Sequence, residues 1–117
     1  MIRIFKTLDG QVQKISEPTS DCWIALTDPN QEELATIAAR FDIDLNDLRC
    51  PLDQEERSRI QIEDDYILII LDIPAADTSE GNDKLYTIPF GIILKEDVIL
   101  TVWLYDTPIL TVFMDGS

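Results

Sequence analysis

The stretch Cys22-Trp23-Ile24-Ala25-Leu26-Thr27-Asp28-Pro29-Asn30-Gln31-Glu32-Glu33-Leu34-Ala35-Thr36-Ile37-Ala38-Ala39-Arg40-Phe41 changes its hydrophobic period half-way along. Residues 22–26 are a short apolar run, which predicts a buried strand. Thr27-Asp28-Pro29 then predicts a helix start: an oxygen-bearing cap, followed by a proline whose missing N–H costs nothing in a first turn. Glu32 and Glu33 fall where the helix dipole favours negative charge, and Arg40 falls near the opposite end. Leu34, Ile37, Ala38 and Phe41 recur at helical spacing and make one apolar face. A buried strand feeding an amphipathic helix sets the class as α/β, with a sheet to be found on either side.

Upstream, Ile2 and Ile4 and residues 12–15 flank Asp9-Gly10, a two-residue turn signal that predicts an N-terminal hairpin. Residues 16–21, with Pro18, read as a connector. Downstream, Asp44 caps a short helix through Leu45 and Leu48, stopped by Pro51, and residues 53–57 could add another turn. Ile60 and Ile62, the acidic turn Glu63-Asp64-Asp65 and residues 66–73 predict a second hairpin. Its second strand is apolar on both faces and so belongs inside the sheet, and Pro74 ends it. Residues 75–84 are polar, contain Gly81-Asn82, and read as a flexible loop. Residues 85–94 and 98–104 are two more strands joined by Lys95-Glu96-Asp97. Pro89 and Gly91 within the first imply a bulge or an edge position. Thr107-Pro108 caps a last helix with Ile109, Leu110, Val112 and Phe113, of about two turns, too short to be stable alone. The expectation is one domain over residues 1–117, a mixed α/β (α+β) fold with a sheet of about six or seven strands and helices packed on it. The polypeptide is expected to continue beyond Ser117 into further helix.

At 117 residues, 45% hydrophobic and 27% charged, the composition is that of a globular domain. Its charge balance is unusual: 23 Asp and Glu against 9 Lys and Arg give −14. Such a field repels phosphate backbones and anionic lipid, which argues against nucleic-acid binding and against direct membrane contact by this segment. It also concentrates cations, although solubility alone would explain it. The longest apolar run, residues 67–71, falls far short of the ~20 residues of a spanning helix. Histidine is absent, which removes the usual zinc sites and the Ser-His-Asp and Cys-His pairings. Cys22 and Cys50 belong to no metal-type cluster and read as reduced thiols. The glycines form no phosphate loop, and no carboxylate pair is singled out by spacing, so an enzyme is the weakest class.

The acidic density between Asp42 and Asp65 holds Asp42, Asp44, Asp47, Asp53, Glu55, Glu56, Glu63, Asp64 and Asp65. Mg²⁺ keeps most of its water and needs only one or two carboxylates, so a weak site would leave no spacing motif. Caps, turns and a solvated face explain the same residues, and Arg49, Arg57 and Arg59 neutralise part of the charge. Arg57 and Arg59 are expected to pair with Glu55, Glu56 or neighbouring acids. Trp23 and Trp103 are expected in the core.

The order of these features resembles the CorA-type divalent-cation transporters. The resemblance runs through Trp23-Ile24-Ala25-Leu26-Thr27, Glu32-Glu33-Leu34, Phe41-Asp42-Ile43 and Leu48. It continues in Leu52-Asp53, Glu56-Arg57-Ser58-Arg59-Ile60, Glu63-Asp64-Asp65-Tyr66, Tyr86-Thr87-Ile88-Pro89-Phe90 and Ile99-Leu100-Thr101-Val102. It implies an α/β/α domain on the cytoplasmic face of the cell membrane, with the stalk helix and transmembrane part lying outside this segment. It also implies partnership with that transmembrane domain and with sister subunits of a homopentamer. The function implied is a regulatory, cation-sensing one in Mg²⁺/Co²⁺ transport, with no tightly bound cofactor and at most weakly bound Mg²⁺. The sensing carboxylate that follows the short helix in the family falls here on Cys50, so Asp47 and Asp53 become the candidate metal residues. Two alternatives stand beside this: a domain of a zinc-transporting relative, and a stand-alone acidic interaction module.

Overall fold

In a computed structural model the chain is described over residues 1–77 and 84–104. The element order is β1 (Ile2–Leu8), β2 (Gln11–Ile15), β3 (Cys22–Thr27), α1 (Gln31–Phe41), α2 (Leu45–Arg49), a 3₁₀ turn (Cys50–Leu52), β4 (Arg59–Ile62), β5 (Ile67–Asp77), β6 (Lys84–Lys95) and β7 (Val98–Trp103). The seven strands form one sheet in the order β2-β1-β3-β7-β6-β5-β4. Among the described residues only the β3–β7 pair is parallel, with Cys22 opposite Val98 and Thr27 opposite Trp103, so the sheet is mixed, as expected. The last helix expected from Thr107 lies outside the described residues.

Asp9 and Gly10 both take positive φ, 54° and 79°, as a tight two-residue hairpin turn requires. The start of α1 differs from expectation. The N-cap is Asn30, one turn later than Thr27, and it makes a capping box in which its Oδ1 accepts from the Glu33 N–H at 2.7 Å and Glu33 Oε1 accepts from its own N–H at 3.0 Å. Asp28, at φ 42°, turns the chain left-handed and its N–H donates to the Trp103 carbonyl, so Thr27-Asp28 still belongs to the sheet end. Proline therefore lies just before the cap. Residues 53–57 add no further helical turn.

Pro74 does not end β5, which runs on to Asp77. The reason is directional. The Glu63 N–H donates to the Tyr66 carbonyl, and alternation along the ladder turns the peptide groups of even-numbered β5 residues towards β4. The described β4 pairing stops at Ile70, so Pro74 withholds a donor where no strand waits for it. The same alternation points Pro89 towards β7, past the last β6–β7 pair, Phe90 with Trp103. The register of β5 with β6 is one-for-one throughout; there is no bulge, and Pro89 sits at a local edge inside an interior strand.

Both helices lie on one face. Leu34 and Ile37 of α1, Ile43 from the connection after it and Leu48 of α2 pack with Ile24, Leu26, Leu68, Ile70, Ile93, Leu100 and Val102. The 3₁₀ turn lies on β6, where a Cβ at Gly91 would stand 2.2 Å from Pro51 Cγ; glycine is there so that Pro51 can be buried. On the opposite face Phe5, Ala25, Phe90 and Trp103 form a second cluster with Trp23, Ile73 and Ile92. Trp103 is fully buried and the Trp23 indole N–H donates to Thr101 Oγ1 at 2.8 Å, so both tryptophans serve the core.

Candidate functional site

The acidic stretch between Asp42 and Asp65 wraps the end of α1, all of α2 and the β4–β5 hairpin, and most of its carboxylates have structural partners. Asp42 is the left-handed C-cap of α1 at φ 53°. Asp44 caps α2, its Oδ1 accepting from the Asn46 N–H at 2.9 Å. The Lys95 ammonium donates to the carbonyls of Phe41 and Asp42, which places a cation at the end of the α1 dipole. Glu56 forms an ion pair with Arg59, the pairing expected for that arginine.

Asp47 and Asp53, the candidate metal residues, occupy different settings. Asp47 is only 8% exposed. Its Oδ2 accepts from the Tyr66 hydroxyl at 2.5 Å and its Oδ1 from the Gln61 amide at 3.2 Å. The Tyr66 hydroxyl accepts in turn from the Asp44 N–H at 3.3 Å, and the Gln61 amide also donates to Glu63. Burial first, then the hydrogen bond to Asp47, holds the Tyr66 phenol well above its ordinary pKa, so it stays a donor. The result is a polar clamp between α2 and the β4–β5 hairpin, through Gln61 of β4 and Tyr66 just before β5. Asp53 is exposed, and its Oδ1 accepts from the Glu55 N–H at 3.0 Å in a turn, which leaves its other oxygen towards water.

Cys50 lies between them, as the C-cap of α2 and first residue of the 3₁₀ turn. The Arg59 guanidinium donates to its sulfur at 3.5 Å, and Glu56 keeps that guanidinium above its ordinary pKa. A sulfur donor beside a fixed positive charge does not suit a hard dication, which wants carboxylate oxygen and its own water. Among the described residues no three Asp, Glu, Cys or His side chains converge as a metal-holding group. A groove of about 330 Å³ is formed elsewhere, lined among others by Phe5, Val12, Trp23, Ile99, Asp21 and Asp97. The Tyr66–Gln61 clamp was out of reach of sequence reading because its members lie 14 and 19 positions from Asp47.

The family described as "CorA-like Mg2+ transporter protein" matches residues 20–115. The chain belongs to the CorA-like family. It is 31% identical, over 80 residues, to the cobalt/magnesium transport protein CorA of Methanocaldococcus jannaschii, an alignment covering 68% of this chain and 24% of that protein. The fold is similar to the soluble domain of the same organism's CorA, at a TM-score of 0.81 and 23% identity, covering 98% of this chain and 45% of that one. The complete structure of that CorA magnesium transporter gives 0.78 at 23% identity, covering 98% and 36%. The cytoplasmic domain of ZntB from Vibrio parahaemolyticus gives 0.73 at 8% identity, covering 97% and 47%, a likeness of fold alone. This CorA-like chain thus spans about a quarter of the curated relative and less than half of each structure. No helix among its described residues is long and apolar enough to cross a membrane.

Proposed function

We propose that this chain is the regulatory, cation-responsive domain of a divalent-cation transporter of the Mg²⁺/Co²⁺ kind and catalyses no reaction itself. The observation that carries the reading is the family match over residues 20–115 on a fold that superposes on a CorA soluble domain. In this reading the domain works at the cytoplasmic face of the membrane, beside its own transmembrane part and sister copies in a ring of five. Its action is electrostatic. Each copy carries −14, so copies held side by side repel, and Mg²⁺ between their acidic faces offsets that repulsion. Loss of Mg²⁺ then shifts the ring towards its open state, because the cation binds the closed arrangement better.

The residues have unequal parts in this reading. Asp53, exposed and half-used, offers an oxygen to a hydrated cation. Asp47 holds α2 and the 3₁₀ turn in place through Tyr66 and Gln61 and so sets where Asp53 stands. Cys50 with Arg59 contributes no ligand. The chain has no histidine, and an oxygen-only surface favours Mg²⁺ over Zn²⁺ at this domain.

Part of that second sheet face is exposed among the described residues, which favours a longer domain. Leu71, Leu94 and Ile99 are exposed beside Phe90 and Trp103, and a second helical layer over them makes the α/β/α sandwich that the family resemblance implies. The test is Mg²⁺ titration of the transporter carrying this domain, with Asp53→Ala compared with wild type. The reading expects Asp53→Ala to need more Mg²⁺ for closure; an unchanged midpoint would remove Asp53 from the sensing role.

A further inference from the structure

The two edges of the sheet are built differently. β2 presents Gln11, Gln13 and Lys14 to solvent, side chains that discourage pairing with another strand. β4, the opposite edge, carries Ile60 and Ile62, which are 70% and 78% exposed and are the most exposed large apolar side chains among the described residues.

The backbone of β4 is open in the same place. The Glu63 N–H donates to the Tyr66 carbonyl at 2.9 Å, and the β4–β5 register continues through Ile62–Ile67 to Arg59–Ile70. Alternation turns the peptide groups of Gln61 and Arg59 towards β5 and those of Ile60 and Ile62 outward. No strand lies beyond β4 among the described residues.

The charges around these isoleucines are ordered so that the segment complements itself. Arg57 and Arg59 precede Ile60; Glu63, Asp64 and Asp65 follow Ile62. When a second copy of the segment is laid antiparallel, with a two-fold axis at Gln61, Ile60 faces Ile62 of the second copy. Arg59 then faces Glu63, and Arg57, just before the strand, comes to the side of the acidic turn Asp64-Asp65. By the alternation above, Ile60 and Ile62 form the hydrogen-bonded pairs, so all four outward peptide groups of each copy find partners. Arg57 and Asp65 are exposed, and Arg59 retains donors beyond those it gives Glu56 and Cys50.

We propose that the β4 edge is a self-complementary contact through which two copies of this chain join their sheets into one. The contact is isologous and closes on two copies. It is therefore separate from a five-fold ring, and in an intact transporter it would link copies of different rings. The net charge of each copy opposes the approach, but at ~0.15 M salt the screening length is about 8 Å, so distant charges fade while touching pairs persist.

The test is sedimentation equilibrium of the 117-residue chain at ~0.15 M salt, from ~10 μM to ~1 mM, the range expected of a small interface. The expected result is a reversible monomer–dimer equilibrium, with the Ile60 and Ile62 amides gaining hydrogen-exchange protection as concentration rises. Ile62→Lys should weaken it at least about tenfold, the equivalent of ~1.4 kcal/mol. Arg57→Glu should also weaken it, and adding Asp65→Arg to the same chain should restore it, because this register brings position 57 beside the turn at 64–65 of the second copy. Since all three side chains are exposed, the thermal unfolding of the variants should match wild type. A monomer throughout the range would overturn the proposal, as would a dimer indifferent to Ile62→Lys or to the charge swap. Concentration-independent protection of the two amides in a monomer would overturn it too, by assigning the edge to another segment of the chain.

Discussion

Gly91→Ala is the substitution whose cost follows most directly from geometry. An added Cβ would stand 2.2 Å from Pro51 Cγ and 2.9 Å from Pro51 Cβ, whereas ordinary contact begins at 3.4 Å. The 3₁₀ turn must therefore retreat by about 1.2 Å from the sheet, the difference between 3.4 and 2.2 Å, and Pro51, now fully buried, must loosen. Overpacking of this kind costs about 1–3 kcal/mol. The entropy lost by the unfolded chain on gaining a Cβ returns about 0.4–1 kcal/mol. The net expectation is a loss of ~1–2 kcal/mol, equivalent to about 3–10 °C in Tm for a domain of this size. Urea unfolding at 25 °C, followed by tryptophan fluorescence, measures it. Pro51→Ala removes the offending Cγ, so Gly91→Ala should cost less in a Pro51→Ala background, and the two should be non-additive. Wild-type stability in Gly91→Ala, or strict additivity of the pair, would refute the packing argument.

Three further outcomes follow from the same contacts. Asp47→Ala should destabilise the fold by about 2–4 kcal/mol in denaturant titration, because the buried Tyr66 hydroxyl and the Gln61 amide lose their acceptor; Tyr66→Phe should cost less, about 1–2 kcal/mol. Glu33 is held below its ordinary pKa of 4.5, chiefly by the Asn30 N–H and also by the Met1 ammonium. Its contribution should thus be complete above pH 4.5 and disappear as pH falls through the lower folded value, so the stability gap between wild type and Glu33→Gln should close on acidification in thermal melts. Asn30→Ala should cost about 1 kcal/mol, whereas Thr27→Val should leave α1 capped, as far-UV circular dichroism would report.

Much of this architecture could be read from local chemistry. Asp9-Gly10 dictates its hairpin because two consecutive positive φ values suit those residues, and the 3.6-residue apolar period from Leu34 to Phe41 dictates α1. What sequence left open was direction. Pro74 and Pro89 look like strand breakers, and whether they are depends on which neighbour their missing N–H would have faced, a matter of register. The helix cap moved from Thr27 to Asn30 because Asp28 remains tied to Trp103, a contact between residues 75 positions apart in the chain. The candidate site was harder still. Composition marks Asp47 and Asp53 alike as oxygen donors, and only the packing of Tyr66 and Gln61 against α2 separates the buried carboxylate from the exposed one. Gly91 reads as a bulge or an edge position until Pro51 is found above it.

The decisive measurement is Mg²⁺ flux through the full-length transporter carrying this domain, in liposomes, with Mg²⁺ varied only on the side that the domain faces. Flux that is present at low Mg²⁺ and falls as Mg²⁺ rises on that side is the predicted result. Flux independent of Mg²⁺ on that side, or no divalent-cation flux at all, would contradict it.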